Sequence, residues 1–204
     1  MASINGISLK KVTNFKGHEG EPCYQGDVYL NNKKIGFWSQ DTWGAIVDNV
    51  CLELGYSEKL LRDKVKDLNV DKARHIKRAD GSTDTIHYSL ESLFSSLLVL
   101  QDDEKEFKRA VRAGYKSLAV VSDGYHIIFW RLSDADFMLS DEELYKKLNV
   151  DKKKKDAHFF EDNEYFKHTF KVYRSGFDFN VGEKISLEDI VRKGKPSYSP
   201  IASL

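Results

Sequence analysis

The stretch "FKGHEGEP", residues 15–22, concentrates residue types that could do chemistry. His18, Glu19 and Glu21 can each serve as a general acid or base, or bind a divalent ion. Gly17 and Gly20 would let a ligand approach the backbone closely. Asp27 and Asp41 fall near the ends of neighbouring hairpin strands. With His18 and Glu19 they would complete a carboxylate cluster of the kind that holds a metal in a nuclease. A metal site needs several convergent ligands, however, and this spacing matches no zinc or calcium loop signature. The same residues suit a surface turn, with both glycines at positive φ and the polar groups solvated. The sequence tilts towards the turn and implies no cofactor.

A second candidate is basic. Residues 59–78, "KLLRDKVKDLNVDKARHIKR", hold eight Lys or Arg against three Asp. Lys59, Arg62, Lys66, Arg74, Lys77 and Arg78 could follow a phosphate backbone or meet an acidic protein, the last three from a loop or helix end. The interleaved aspartates fit the opposite reading, a solvated helix face with i,i+4 pairs. The acidic segments "QDDEKE" and "EDNEY" could compete with nucleic acid for a partner's surface, and equally suit solvated loops. No nucleophile elbow, phosphate-binding loop, dinucleotide fingerprint or zincin motif is present. Cys23 and Cys51 read as reduced core thiols, and His168 as a core histidine on the apolar face of a strand. His126 reads as solvent-facing where a hairpin emerges.

The elements that must position these residues begin with strands. "GISLKKVTNF" leads into the glycine-rich loop, and "YQGDVYL" and "KIGFWSQ" flank "NNK", whose asparagines tolerate positive φ, so the first 55 residues form a β-meander. "AIVDNVCLEL" fits either a strand or a helix, and "SQDTWG" reads as a turn that buries Trp43. Ser57 can cap a helix with Leu60, Leu61, Val65 and Leu68 on its apolar side. Ser89 starts another, through Leu90, Leu93, Phe94, Leu97 and Leu98. "QDDEKE" interrupts that stripe, and Asp103 can cap a fresh helix that ends at Gly114. In "SLAVVSDGYHIIFW", Asp123-Gly124 predicts a two-residue turn, with Val121 opposite His126 and Val120 opposite Ile127. Both strands are apolar on both faces, which places this hairpin centrally in a sheet. Ser140 and Glu143 make a capping box, and "DKKKKDAH" at 151–158 reads as a linker. Residues 166–173 alternate as a strand, Ser175-Gly176 turns the chain, and Phe177, Phe179 and Val181 line a return strand. Ser186 caps a last helix.

Strands and helices are segregated, which gives an α+β fold with a mainly antiparallel sheet built from hairpins and four to five helices packed on it. The expected organisation is a single domain over 1–195, comprising the meander 1–55, a helical and hairpin middle 56–150, and a C-terminal hairpin plus helix 157–195. Residues 196–204 form a flexible tail. Lys plus Arg and Asp plus Glu both number 32, so a neutral chain offers no global attraction to nucleic acid or an anionic membrane. No apolar run is long enough for a bilayer, no secretory leader is evident, and two cysteines make no disulfide framework. The expected compartment is the cytoplasm.

The opening stretch, on the strength of FKGHEGEP, the KKIG hairpin and WSQD, resembles the N-terminal segment of small accessory proteins of bacterial prophages and other mobile elements. It covers about the first fifth of the chain. The resemblance implies an accessory role, with inhibition of a host defence system, as anti-CRISPR proteins do, as one form of it. The sequence favours a non-catalytic protein that occupies a surface of a larger host or phage protein, with a nucleic-acid-handling complex as a candidate. The alternatives are a small divalent-metal hydrolase centred on His18, Glu19, Glu21 and Asp41, and a direct DNA binder through 59–78.

Overall fold

The computed structural model describes residues 1–41, 48–78, 80–122, 127–153 and 169–192. The chain is α+β with antiparallel ladders, as its segregated strand and helix patterns predict. It divides into two compact units, Ile4–Ser95 with Gly182–Leu204, and Met1–Ser3 with Ser96–Val181.

The first unit begins at the end of β1 (Ser3–Ile4), which turns into β2 (Ile7–Lys16) through Asn5 and Gly6, both at positive φ, so that Ile4 faces Ile7. Two successive positive-φ residues match the twist of the strands they join. Asn5 is buried: its side chain donates to the Glu183 carbonyl and accepts from the Asn69 amide, both at 2.9 Å. β2 pairs with β3 (Pro22–Leu30), β3 with β4 (Lys33–Ser39), and β4 with β5 (Asn49–Leu52). Asn31 and Asn32, at φ 48° and 68°, form the expected turn between β3 and β4. The ambiguous segment 45–54 is therefore a strand over Asn49–Leu52. One face of the sheet buries Ile7, Leu9, Val28, Leu30 and Trp38, while Trp38 packs on Phe94 with ring centroids 5.0 Å apart. Gly36 has no room for a side chain, since a Cβ there would lie 2.4 Å from the Cys51 carbonyl oxygen.

Ser57 caps α1 (Glu58–Leu68), which buries Leu61 and Val65. A short 3-10 turn, Val70–Lys72, leads into a separate two-stranded ribbon, β6 (Arg74–Lys77) and β7 (Thr83–Ile86). Arg74, Lys77 and Arg78 are expected on a loop or helix end; Arg74 and Lys77 instead lie on a strand, with Arg78 just after it. The alternation of RHIK and TDTI around Asp80-Gly81 is the strand signal that the run of charges obscured. The last expected helix of this unit is a 3-10 turn, Leu187–Ile190, with Ser186 capping it as expected.

α2 (Leu90–Arg112) runs unbroken through "QDDEKE". Its expected interruption fails because two of the acids face inward and find tertiary donors. Asp103 accepts from the Tyr173 hydroxyl at 2.7 Å, and Glu104 accepts from the Ala2 amide at 2.9 Å. In the second unit, β8 (Ser117–Ser122) lies between β9 (Ile127–Leu132) and β10 (Lys171–Tyr173). The register is Val121 with Ile128 and Val120 with Phe129, two residues off the expected pairing. Four residues rather than two separate the last pair, Ser122 and Ile127. β8 is buried on both faces and central, whereas β9 is an edge strand.

α3 (Asp134–Phe137) and α4 (Asp141–Lys153) follow, the latter opened by the expected reciprocal bonds between Ser140 and Glu143. The return strand after Ser175 is instead a 3-10 turn, Gly176–Phe179, followed by the two-residue β11 (Asn180–Val181). Asp178 accepts the Arg174 and Ser175 amides, which tightens the chain into that turn. Phe179 is buried and stacks on Tyr173, but Phe177 is 85% exposed. Trp43, the Asp123-Gly124 turn, His126, the linker beyond Lys153, the segment "EDNEY", His168 and the tail 196–204 lie outside the described residues.

Candidate functional site

The 15–22 loop turns on its own bonds. The Gly17 amide donates to the Glu21 carbonyl at 2.8 Å, and the Gly20 amide to the Gly17 carbonyl at 3.1 Å. The Glu21 carboxylate folds back to accept the Glu19 amide at 2.9 Å, and it also faces the Cys23 thiol at 3.9 Å. Gly20 takes positive φ as expected, but Gly17 does not. Gly17 is needed for closeness instead: a Cβ there would lie 2.0 Å from Glu21 Oε1 and 2.9 Å from Cys23 Sγ. His18, Glu19 and Glu21 are exposed, and Asp41 contributes its backbone carbonyl to the Cys23 thiol. Among the described residues, no group of three or more His, Cys, Asp or Glu is placed to hold a metal ion.

Cys23 is the buried thiol expected, and burial, then the Glu21 and Asp41 carboxylates, push its pKa up. A thiol held protonated in an acidic setting is a poor nucleophile. Cys51 departs from expectation: it is exposed on β5, because its position in the strand faces away from the core. Asp27 stays on the outer face of β3 and is bound by Lys34 at 2.8 Å and Lys11 at 3.4 Å. The Lys34 ammonium, ahead of Lys11, holds its carboxyl below the usual range. Lys11 reaches it because the strand bulges there, with Lys11 at φ 51° opposite Gly26.

Three of the six basic residues are committed to carboxylates. Lys59 pairs with Asp63, Arg78 pairs with Asp84, and Arg62 bridges Glu58 at 2.7 Å and Glu91 at 2.6 Å. Lys66, Arg74 and Lys77 are exposed. Arg74 and Lys77 are three residues apart on β6, so they project from opposite faces of the ribbon. A continuous basic stripe along one face is not formed by these two.

The ribbon itself is the feature that sequence reading missed. Every described residue from Arg74 to His87 is exposed. Arg74 faces Ile86 and Ile76 faces Asp84, so Ile76 and Ile86 are diagonal neighbours on one face. They are 48% and 54% exposed. The other face pairs His75 with Thr85, joined at 3.1 Å, and Lys77 with Thr83. Lys72 lies over the Tyr88 ring at 4.8 Å and clasps the base of the ribbon.

No helix among the described residues is long and apolar enough to cross a membrane. No family model, no curated protein and no solved structure matches this chain.

Proposed function

We propose that this is a non-catalytic protein-binding protein that docks on a larger protein partner through the β6–β7 ribbon. One observation carries the reading: two isoleucines, each about half exposed, share one face of a ribbon in which every described residue is exposed. A two-stranded hairpin gains little from its own pairing, and a partner laid on the Ile76/Ile86 face supplies the burial that the ribbon lacks. Arg74 beside Ile86 suits a partner whose apolar contact is rimmed by carboxylates. A protein therefore fits this face better than nucleic acid. The finer role, an accessory protein of a mobile element that inhibits a nucleic-acid-handling complex, is supported by the resemblance of the first fifth of the chain.

The test is affinity capture from nuclease-treated host lysate with the intact protein and with an Ile76→Asp/Ile86→Asp variant. The expected result is a stoichiometric protein held by the unaltered chain and lost by the variant. A partner retained equally by both, or one lost on nuclease treatment, would overturn the reading.

A further inference from the structure

We infer that the Ser96–Val181 unit carries a second docking surface, for a basic, apolar-anchored segment of another protein, with a Lys or Arg side chain entering the cavity beside Tyr145 and Phe170. That cavity, of about 270 Å³, is lined among the described residues by Asp141, Glu142, Tyr145 and Phe170. The two rings meet edge to face, with centroids 5.3 Å apart at 72°. Ring faces and carboxylates attract the same ligand, a cation on an aliphatic stem. The carboxylates already share charge locally, Asp141 with Arg174 at 2.6 Å and Glu142 with Lys146 at 3.0 Å. Glu142 and Lys146 are mostly exposed, so an incoming cation can exchange for the lysine at little cost.

Exposed apolar side chains lie near Asp141 in the chain or are linked to it through Arg174. Arg174 donates to the Leu139 carbonyl at 2.9 Å while pairing with Asp141, and so ties the turn at Met138 to the turn that bears Phe177. Met138 is 84% exposed, Phe177 85% and Phe137 38%. Exposed large apolar side chains rimmed by charge mark interaction surfaces, and Met adapts to varied partners. Charge selects the occupant. Residues 133–143 hold five carboxylates and no Lys or Arg; Lys146, Lys147 and Arg174 pair with three of them, and the acidic excess that remains favours a basic protein segment over nucleic acid or anionic lipid.

The test uses the intact protein and an end-capped amphipathic peptide of Leu and Arg, followed by calorimetry and by the NMR signals of Tyr145. Controls replace every Leu by Ser or every Arg by Glu. The expected result is saturable binding that shifts the Tyr145 ring signals, weakened roughly tenfold or more in the Ser control and abolished in the Glu control. Glu142→Lys and Phe177→Asp, both on exposed side chains, should each weaken binding at least about fivefold with unchanged thermal unfolding. The Ile76→Asp/Ile86→Asp variant should bind as the unaltered chain does, which separates this surface from the ribbon. Absence of binding, binding of all three peptides alike, or binding unaffected by both Glu142→Lys and Phe177→Asp would overturn the inference.

Discussion

The Gly17–Glu21 loop and the Arg74–Ile86 ribbon belong to the same unit and use their residues in opposite ways. The loop is rich in chemically capable groups, yet Glu21 spends its carboxylate on the Glu19 amide and the neighbouring thiol. The ribbon is poor in such groups, yet its apolar residues face water. Residue type marks potential; where each group's bonding and burial are already satisfied decides whether potential remains for a partner. If this contrast holds, damage near the loop should be read in stability, and damage on the ribbon in binding.

The largest expected effect lies in the sheet that carries the loop. Gly36→Ala sets a methyl group against the Cys51 carbonyl, a backbone atom that cannot swing aside. The cost should be about 3 kcal/mol, at the upper end for overpacking, measured by urea unfolding. A loss below about 0.5 kcal/mol would mean that β5 yields freely, and the tight half of the comparison would fail.

Acid unfolding gives a second test. Asp27 has its folded pKa lowered by Lys34 and then Lys11, so its contribution is full above the unfolded carboxylate pKa. It is lost as pH falls through the lower folded value. Asp27→Asn should therefore reduce stability at neutral pH and flatten its decline in acid. An acid limb as steep as that of the unaltered chain would show that Asp27 is not held by its lysines.

Much of this was legible in the sequence, for reasons that can be located. The Asn-Asn turn, the Ser57 cap and the Ser140–Glu143 box are local, and their bonds join residues within a few positions of one another. What failed was set by distant partners. The continuity of α2 depends on Tyr173 and Ala2, far along the chain from Asp103 and Glu104. The loop's candidate residues were identifiable, but that Glu21 would turn back onto the chain is a matter of rotamer and close approach at Gly17. The ribbon's strands were written in plain alternation and were read past because charge was the louder pattern.

A smaller effect sharpens the loop's side of the contrast. Burial and then the Glu21 carboxylate raise the Cys23 thiol. In a Cys51→Ser background, which removes the exposed thiol, Glu21→Gln should speed alkylation of Cys23 at pH 8 several-fold while costing about 0.5–1 kcal/mol of stability. An unchanged alkylation rate would show that burial alone sets the thiol, and that Glu21 serves only the turn.

The smallest expected change in stability is the most telling. Ile76→Asp/Ile86→Asp places two carboxylates where two half-exposed isoleucines stood, on a face that already holds Asp84 and two arginines. No core contact is lost, because every described residue of the ribbon is exposed, so unfolding free energy should move by less than about 0.5 kcal/mol. Arg74 lies on the same face and offsets one of the added acids, while Arg78 stays paired with Asp84. A loss of about 2 kcal/mol or more would mean that the isoleucines already serve the fold, as buried apolar groups do. The ribbon would then resemble the loop, with its potential spent within the chain, and the case for a partner at this face would lose its only carrier.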